Sequence, residues 1–161
     1  MDCEQIAHGT YSPLTGFMDL KTVKNVLDTN RLPNGTPWAL PVILQINSFS
    51  AKNIRSGERV ALADPKGVIY AFLDKAKVEK FDPSPFLEKW FGTNSEKHPG
   101  VEEILNSGEY LLSGDVTLVR TRETPYRHYQ LTPAQSRFIF THKGWSRVVA
   151  FHTRNVIHRA H

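Results

Sequence analysis

The sequence predicts an α+β protein that is mainly β, and three observations support this prediction. Short apolar runs alternate with turn residues, and ten prolines and ten glycines are spread over 161 positions. Only a few segments have the spacing of an amphipathic helix. The last segment has the pattern of a strand, a polar turn and a helix start, as in an α/β domain. We therefore expect one complete β-rich domain at residues 1–135, and a linking helix with the start of a second domain at 136–161.

The first predicted element is a helix at Asp19–Asn30. Its apolar residues share one face, and Asp19 can cap the first turn. A turn is expected at Pro33–Pro37. The apolar run Trp38–Ile46 then predicts a strand, in which Pro41 favours an edge position or a bulge.

The middle of the chain predicts a hairpin and several short elements. Arg59–Ala63 and Val68–Leu73 flank the turn sequence at 64–67 and form the hairpin. After the hairpin, the expected order is a helix at Ser84–Phe91, a loop at Gly92–Gly100, a helical turn at Glu102–Asn106, and one or two strands at Tyr110–Arg120. The first of these helices contains Pro85 near its start, where a helix tolerates proline.

The C-terminal elements are a helix, a strand and a turn. Thr132 can cap a helix at Pro133–Lys143. Ser146–Phe151 is a short and nearly all-apolar run, which is typical of a strand buried on both faces of a parallel sheet. The polar turn His152–Asn155 follows, and Val156–His161 can open a helix.

Composition restricts the class of protein. With the single cysteine Cys3, an internal disulfide framework is impossible, which favours a reducing compartment. The chain has no long apolar run of about 18 residues and no signal-peptide pattern at its start. We therefore expect a cytoplasmic protein that does not cross a membrane.

The charge is distributed unevenly along the chain. Residues 1–119 carry 12 Lys or Arg and 15 Asp or Glu, a net charge of −3. Residues 120–161 carry eight Lys or Arg and only one acidic residue, a net charge of +7, together with five of the seven histidines. A basic, histidine-rich segment indicates an anionic partner, which composition alone leaves open between a nucleotide, a small oxyanion and nucleic acid.

The segment 152–161 concentrates side chains suited to binding an oxyanion. Arg154 carries a permanent charge in a planar fork, and Asn155 can donate two hydrogen bonds. The turn follows an apolar strand, where α/β folds place their ligands. His158 and His161 are three residues apart, so on a helix they share a face and can both donate to a phosphate chain.

Two plainer interpretations of the same ten residues remain open from the residues alone. They can form an ordinary solvated helix without a function. The spacing of the histidines also permits two ligands of a zinc site, although no cysteine or nearby acid completes the set.

Four blocks of the chain resemble the ATP sulfurylase (sulfate adenylyltransferase) family, and they occur in the family's order. The segment 152–161, HTRNVIHRAH, resembles its signature Gln-Thr-Arg-Asn-Pro-x-His-Arg-Ala-His. Residues 12–18 resemble its SPLTGFM block. Phe91–Asn94 with His98–Val101 is similar to FGT…HPGV, and Pro133, Arg137, Phe138, Gly144 and Trp145 fit the approach to the catalytic strand.

The resemblance implies an N-terminal PUA-like β-barrel domain followed by the start of an α/β nucleotidyltransferase domain. It implies that a sulfate oxygen attacks the α-phosphorus of MgATP in line, which releases pyrophosphate and yields adenosine 5′-phosphosulfate. Arg154, His158 and His161 would be catalytic. His152, Thr153, Arg154 and Asn155 would bind sulfate and the ATP phosphates. Magnesium would arrive with ATP, no protein-ligated metal is expected, and the parent protein would be a homo-oligomer.

The chain departs from the family pattern in three ways. His152 stands where glutamine is usual, and Val156 stands where proline is common. The acidic residue after the second signature histidine and the glycine-rich nucleotide loop are absent. We therefore expect the 161-residue chain alone to be inactive, as a truncated part of the enzyme.

Two other functions remain as alternatives. A PUA-like module with a +7 tail could bind RNA. Nucleic acid is the less favoured partner, because RNA readers usually place aromatic stacking residues among the basic ones, whereas here the basic tail follows a predicted buried strand and a helix start. The domain could also serve only in oligomerisation. His98, in the HPG sequence, is most simply part of a loop.

Overall fold

The computed structural model describes residues 2–159. The chain separates into two compact units, Met1–Thr124 and Pro125–His161. The first unit combines one antiparallel sheet with short helices, which confirms the predicted α+β class. Its elements, in chain order, are α1 (Asp2–Ala7), β1 (Gly16–Phe17), α2 (Leu20–Thr29), β2 (Gln45–Ile46), α3 (Ser48–Lys52), β3 (Val60–Ala63), β4 (Ile69–Lys80), α4 (Leu87–Phe91), α5 (Pro99–Asn106) and β5 (Tyr110–Leu118).

Strand β5 organises the sheet. It pairs with β4 along one edge, while β2 and β1 pair end to end along its other edge. Strand β3 pairs with β4, so the order is β1-β5-β4-β3 with β2 beside β5. Every pairing is antiparallel. The predicted hairpin at 59–73 is confirmed, and its second strand continues to Lys80 through a bulge where Lys75 adopts a positive φ of 54°.

Neighbouring residues of β5 point into two different cores. Leu111 is fully buried beneath α2, α4 and α5, where it packs with Val23, Val26 and Val101. Leu112 faces the opposite side and belongs to a smaller core. Because side chains alternate along a strand, one sheet can separate the two apolar clusters. The smaller core contains Ile6, Phe17, Leu73, Ala76 and Leu112.

The apolar run Trp38–Ile46 does not form the strand that was predicted over its whole length. Only Gln45–Ile46 is a strand. The preceding residues make isolated backbone bonds, such as those from Met18 N–H to the Val42 carbonyl and from Leu112 N–H to the Leu44 carbonyl. Pro41 lacks an N–H group, so this segment cannot sustain a continuous ladder.

Helix α2 is anchored by two carboxylates, one local and one distant. Asp19 accepts a hydrogen bond from the Thr22 N–H at 2.8 Å, which confirms the predicted cap. Glu79 of β4 accepts the Leu20 N–H at 3.2 Å. Lys77 lies 3.6 Å from the Asp19 carboxylate and 3.0 Å from that of Glu79. The cap is readable from local sequence, whereas Glu79 is 59 residues away and leaves no local signal.

The Asp19 cap makes the stability of the fold depend on pH. Partial burial raises the pKa of Asp19, but the hydrogen bonds from Thr22 and the attraction of Lys77 outweigh it, so the pKa lies below the ordinary 3.8. A carboxyl with a lowered pKa in the folded state stabilises the fold above its unfolded pKa. This contribution is lost as the pH falls through the folded-state pKa.

We expect Asp19→Ala to lower the free energy of unfolding at pH 7 by about 1 kcal/mol, because Thr22 N–H loses its acceptor. The deficit should shrink below pH 3.8, as the pH falls toward the lowered folded-state pKa of the Asp19 carboxyl in the parent chain. Urea unfolding at pH 7, 5 and 3 measures both effects. Asp19→Asn, which keeps an acceptor, is the control and should lose less. A deficit that is unchanged at pH 3 would contradict the role of the charge.

Candidate functional site

Within residues 125–159, the second unit contains one α-helix, α6 (Pro133–His142). Thr132 Oγ1 accepts the Gln135 N–H, while Gln135 Oε1 accepts the Thr132 N–H, so the two residues form a capping box. The predicted helix and its cap are confirmed. A 3₁₀ turn at Arg127–Tyr129 precedes it.

Gly144 and Trp145 form the C-terminal cap of α6. Gly144 has a positive φ of 65° and donates its N–H to the Thr141 carbonyl. Trp145 donates its N–H to the Phe140 carbonyl, and the two rings stack with centroids 6.1 Å apart. These two bonds and the apolar contact are the Schellman ending, in which glycine adopts the left-handed conformation. The pair therefore stops the helix and turns the chain toward residue 146.

The predicted strand at Ser146–Phe151 is wrong for this structure. These residues form no strand and are exposed, with Val149 94% exposed. A strand is stable only when a neighbouring strand takes up its backbone hydrogen bonds. Within residues 2–159, none of the strands pairs with this segment. The apolar pattern of Ser146–Phe151 is therefore typical of a buried strand, but residues 2–159 do not bury this segment.

Thr153, Arg154 and Asn155 form a local turn. Thr153 Oγ1 accepts the Asn155 N–H at 3.0 Å and donates to the Asn155 carbonyl at 3.4 Å. This side-chain bond across two residues holds Arg154 at the apex. Arg154 is exposed, whereas Thr153 is half-buried. The turn thus leaves two neighbouring residues, Arg154 and Asn155, exposed to solvent, and both have side chains that can donate hydrogen bonds.

The other predicted site residues are only partly brought together. His152 precedes the turn and is exposed, and His158 follows it outside any helix. His161 lies outside the described residues, so its predicted shared helical face with His158 stays a prediction. The helix expected to open at Val156 is not formed over residues 156–159. The structure thus contains the turn at 153–155. Over the described residues it does not contain the helical face that was predicted to carry His158 and His161.

The second unit combines positive charge with exposed apolar side chains. Residues 125–161 carry six Lys or Arg and no acidic residue. Among residues 125–159, ten large hydrophobic side chains are exposed: Tyr126, Tyr129, Leu131, Phe138, Trp145, Val148, Val149, Phe151, Val156 and Ile157. Exposed apolar side chains beside basic residues are typical of a segment that contacts a further part of a protein or a partner.

The block at residues 12–18 has a structural role in the first unit. Phe17 and Met18 are buried, as expected for core anchors after a turn. Thr15 Oγ1 donates to the Asp115 carboxylate at 2.7 Å. A cavity of about 390 Å³ lies beside the block and is lined by Thr15, Asp19, Asn34 and Asp115 among others. The block therefore joins β1 to β5.

His98 caps α5. Its Nδ1 accepts the Gly100 N–H at 3.2 Å, and its ring lies 5.4 Å from that of Phe91.

In the described part of the chain, no three His, Cys, Asp or Glu side chains gather where they could hold a metal ion. Over the same residues, none of the helices is both long and apolar enough to cross a membrane.

Two family models match the chain in succession. A PUA-like domain matches residues 1–121, and ATP-sulfurylase matches residues 127–161. The two matches lie on either side of the division between the two compact units at Thr124.

Curated relatives extend over nearly the whole chain. A sulfate adenylyltransferase from Symbiobacterium thermophilum is 42% identical over 99% of the chain, and one from a Synechococcus species is 40% identical over 99%. The chain spans 41% of the length of each. Among solved structures, a hexameric APS kinase from Thiobacillus denitrificans has a TM-score of 0.70 and 29% identity, covering 98% of this chain and 28% of that one.

Proposed function

We infer that this chain, which belongs to the PUA-like domain family over residues 1–121 and continues into an ATP-sulfurylase segment, is part of a sulfate adenylyltransferase. The observation that carries the inference is the turn at Thr153–Asn155. It lies within the segment that matches ATP-sulfurylase and presents Arg154 to solvent. The sulfate adenylyltransferase from Symbiobacterium thermophilum matches the chain at 42% identity over 99% of its length.

The reaction we propose is the transfer of an adenylyl group from MgATP to sulfate. A sulfate oxygen attacks the α-phosphorus in line, the bond from this phosphorus to the α,β-bridging oxygen breaks, and pyrophosphate leaves. Adenosine 5′-phosphosulfate is the product. Such transfers depend mainly on positioning and on neutralising charge, and Mg²⁺ enters as part of the MgATP substrate.

Each site residue then has a proposed role. Arg154 holds sulfate through its planar fork, and the Asn155 amide donates beside it. Thr153 keeps the turn closed through its bond to the Asn155 N–H. His152 donates to the same oxyanion. His158 and His161 contact the ATP phosphates and stabilise the charge that develops on pyrophosphate.

The proposal extends to the complete protein. The first domain, residues 1–135, supports the catalytic domain that begins in 136–161. The complete enzyme is cytoplasmic and homo-oligomeric, which the single cysteine and the similarity to a hexameric structure favour. The 161-residue chain alone is inactive, because one turn supplies only a small part of a nucleotide pocket.

A chimera tests this proposal. The chain is joined to the remaining part of the Symbiobacterium relative, and pyrophosphate release is measured with MgATP and sulfate. We expect sulfate-dependent release from the chimera and none from the chain alone. Release from the chain alone would contradict its inactivity, and a folded but inactive chimera would contradict the enzyme function.

The RNA-binding alternative is tested with the same materials. Titration of a single-stranded RNA at low and high salt should show no salt-dependent binding by the folded chimera. Tight binding that weakens steeply with salt would instead favour an RNA-binding module.

A further inference from the structure

His152 lies directly before the turn at Thr153–Asn155. Its side chain and that of Arg154 are exposed, whereas Thr153 between them is half-buried. Residues two positions apart have Cα atoms within about 7 Å of each other, even where the backbone is fully extended. Thr153 Oγ1 accepts the Asn155 N–H at 3.0 Å and keeps the turn closed. One small ion at the turn can therefore contact both His152 and Arg154.

The second unit places His152 among cationic groups. Residues 125–161 contain six Lys or Arg and no Asp or Glu. A proton taken up by His152 therefore adds to the positive charge of this segment, and no side-chain carboxylate of the unit neutralises it. A bound anion would do so. In the described part of this unit, the other side chains that carry or can gain positive charge are Arg127, His128, Arg137, His142, Lys143, Arg147, Arg154, His158 and Arg159.

Protonation changes what a histidine at this position offers to an oxyanion. An imidazole takes up its proton near neutral pH, at about pH 6.5 in ordinary peptides. The neutral ring has one N–H donor, whereas the protonated ring has two donors and a positive charge. Sulfate keeps both of its negative charges over the same range. The added attraction is therefore present at lower pH and is lost as the pH rises and the ring releases its proton.

We propose that His152 makes the affinity for sulfate depend on pH, with tighter binding when the His152 ring is protonated. The inference rests on the proposed function, in which His152 and Arg154 hold the same sulfate ion. Arg154 keeps its charge at every physiological pH, so it supplies a constant attraction and His152 adds a variable one. By linkage, bound sulfate favours the protonated ring to the same extent, so sulfate binding near neutral pH is coupled to proton uptake.

The KM for sulfate of the chimera, measured at pH 6 and pH 8 with saturating MgATP, tests the proposal. We expect KM to be about fivefold lower at pH 6, because one added charge close to a dianion at a solvated site contributes an attraction of this order. His152→Gln keeps a donor but takes up no proton, and His152→Lys keeps a charge at both pH values. In both variants KM should be nearly independent of pH. His142→Gln removes another exposed histidine of the second unit and should keep the fivefold dependence.

Proton uptake provides a second measurement. Calorimetric titration of the chimera with sulfate near pH 7, with α,β-methylene-ATP present and in two buffers of different ionisation enthalpy, should show proton uptake that His152→Gln abolishes. Circular dichroism at both pH values shows whether each variant is folded.

The outcomes separate this inference from the proposed function. An active chimera whose KM for sulfate does not change with pH, or changes equally in His152→Gln, would overturn the inference and leave the proposed function intact. Loss of the dependence in His142→Gln would also overturn it. A folded chimera without sulfate-dependent pyrophosphate release would contradict the proposed function and, with it, the role of His152.

Discussion

Gly16→Ala is expected to lower the free energy of unfolding by about 3 kcal/mol or more, because β1 and β5 can no longer pair. A Cβ at Gly16 would lie 1.7 Å from the Gly114 carbonyl oxygen and 2.9 Å from the Asp115 Cα. Both neighbours are backbone atoms, so rotation of a side chain cannot relieve the contact. The two strands would have to separate, and the adjacent Phe17, 7% exposed, would be withdrawn from its core.

Urea unfolding of the 161-residue chain measures this loss, and Gly67→Ala supplies the control. Gly67 has a positive φ of 82°, but a Cβ there would meet no atom within 4 Å. Its replacement should cost only about 1 kcal/mol, from the left-handed backbone conformation. Equal losses at the two positions would show that the close approach of Gly16 to the Gly114 carbonyl costs no more than a left-handed glycine, which would contradict the prediction. An unchanged stability of Gly16→Ala would contradict the register of β1 on β5.

Arg154→Ala is expected to lower kcat/KM of the chimeric enzyme at least about a hundredfold, because the proposed sulfate site loses its permanent charge and bidentate donor. Arg154→Lys should recover part of this loss, since it restores the charge but not the planar fork. The turn should persist in both variants, because Thr153 Oγ1 bonds to the Asn155 backbone and not to Arg154. The expected effect is thus chemical and leaves stability almost unchanged.

Steady-state kinetics with varied sulfate and fixed MgATP measures this effect, alongside thermal unfolding of each variant. Lys97→Ala removes an exposed positive charge from the first unit and should leave kcat/KM unchanged. An Arg154→Ala enzyme with full activity would remove Arg154 from the sulfate site. A general loss in both variants would indicate only a change in overall charge.

Elements with local chemical signals could be predicted closely from the sequence. Asp19 marks the start of α2 and Thr132 the start of α6, since an N-cap acts within three residues of itself. Residues 64–67, between the two strands of the hairpin, have a composition that is typical of a turn. The turn at Thr153–Asn155 also forms within three residues, which is why this part of the candidate site could be predicted.

Elements that depend on a distant partner could not be predicted in the same way. Trp38–Ile46 and Ser146–Phe151 have strand-like patterns, but a strand needs a neighbour that its own residues do not specify. The same limit applies to Glu79, which reaches the start of α2 from another strand. The close approach at Gly16 is also a property of the paired backbones and not of either segment.

The sequence by itself determined the α+β class, the caps of the two main helices, the concentration of positive charge after residue 119, and the polar turn at Thr153–Asn155. These follow from composition and from interactions within one helical turn. Only the tertiary structure decided that β5 is central, that Leu111 and Leu112 enter different cores, and that β3 lies at the end of the sheet. Those features depend on which strands pair, and pairing joins residues that are far apart along the chain.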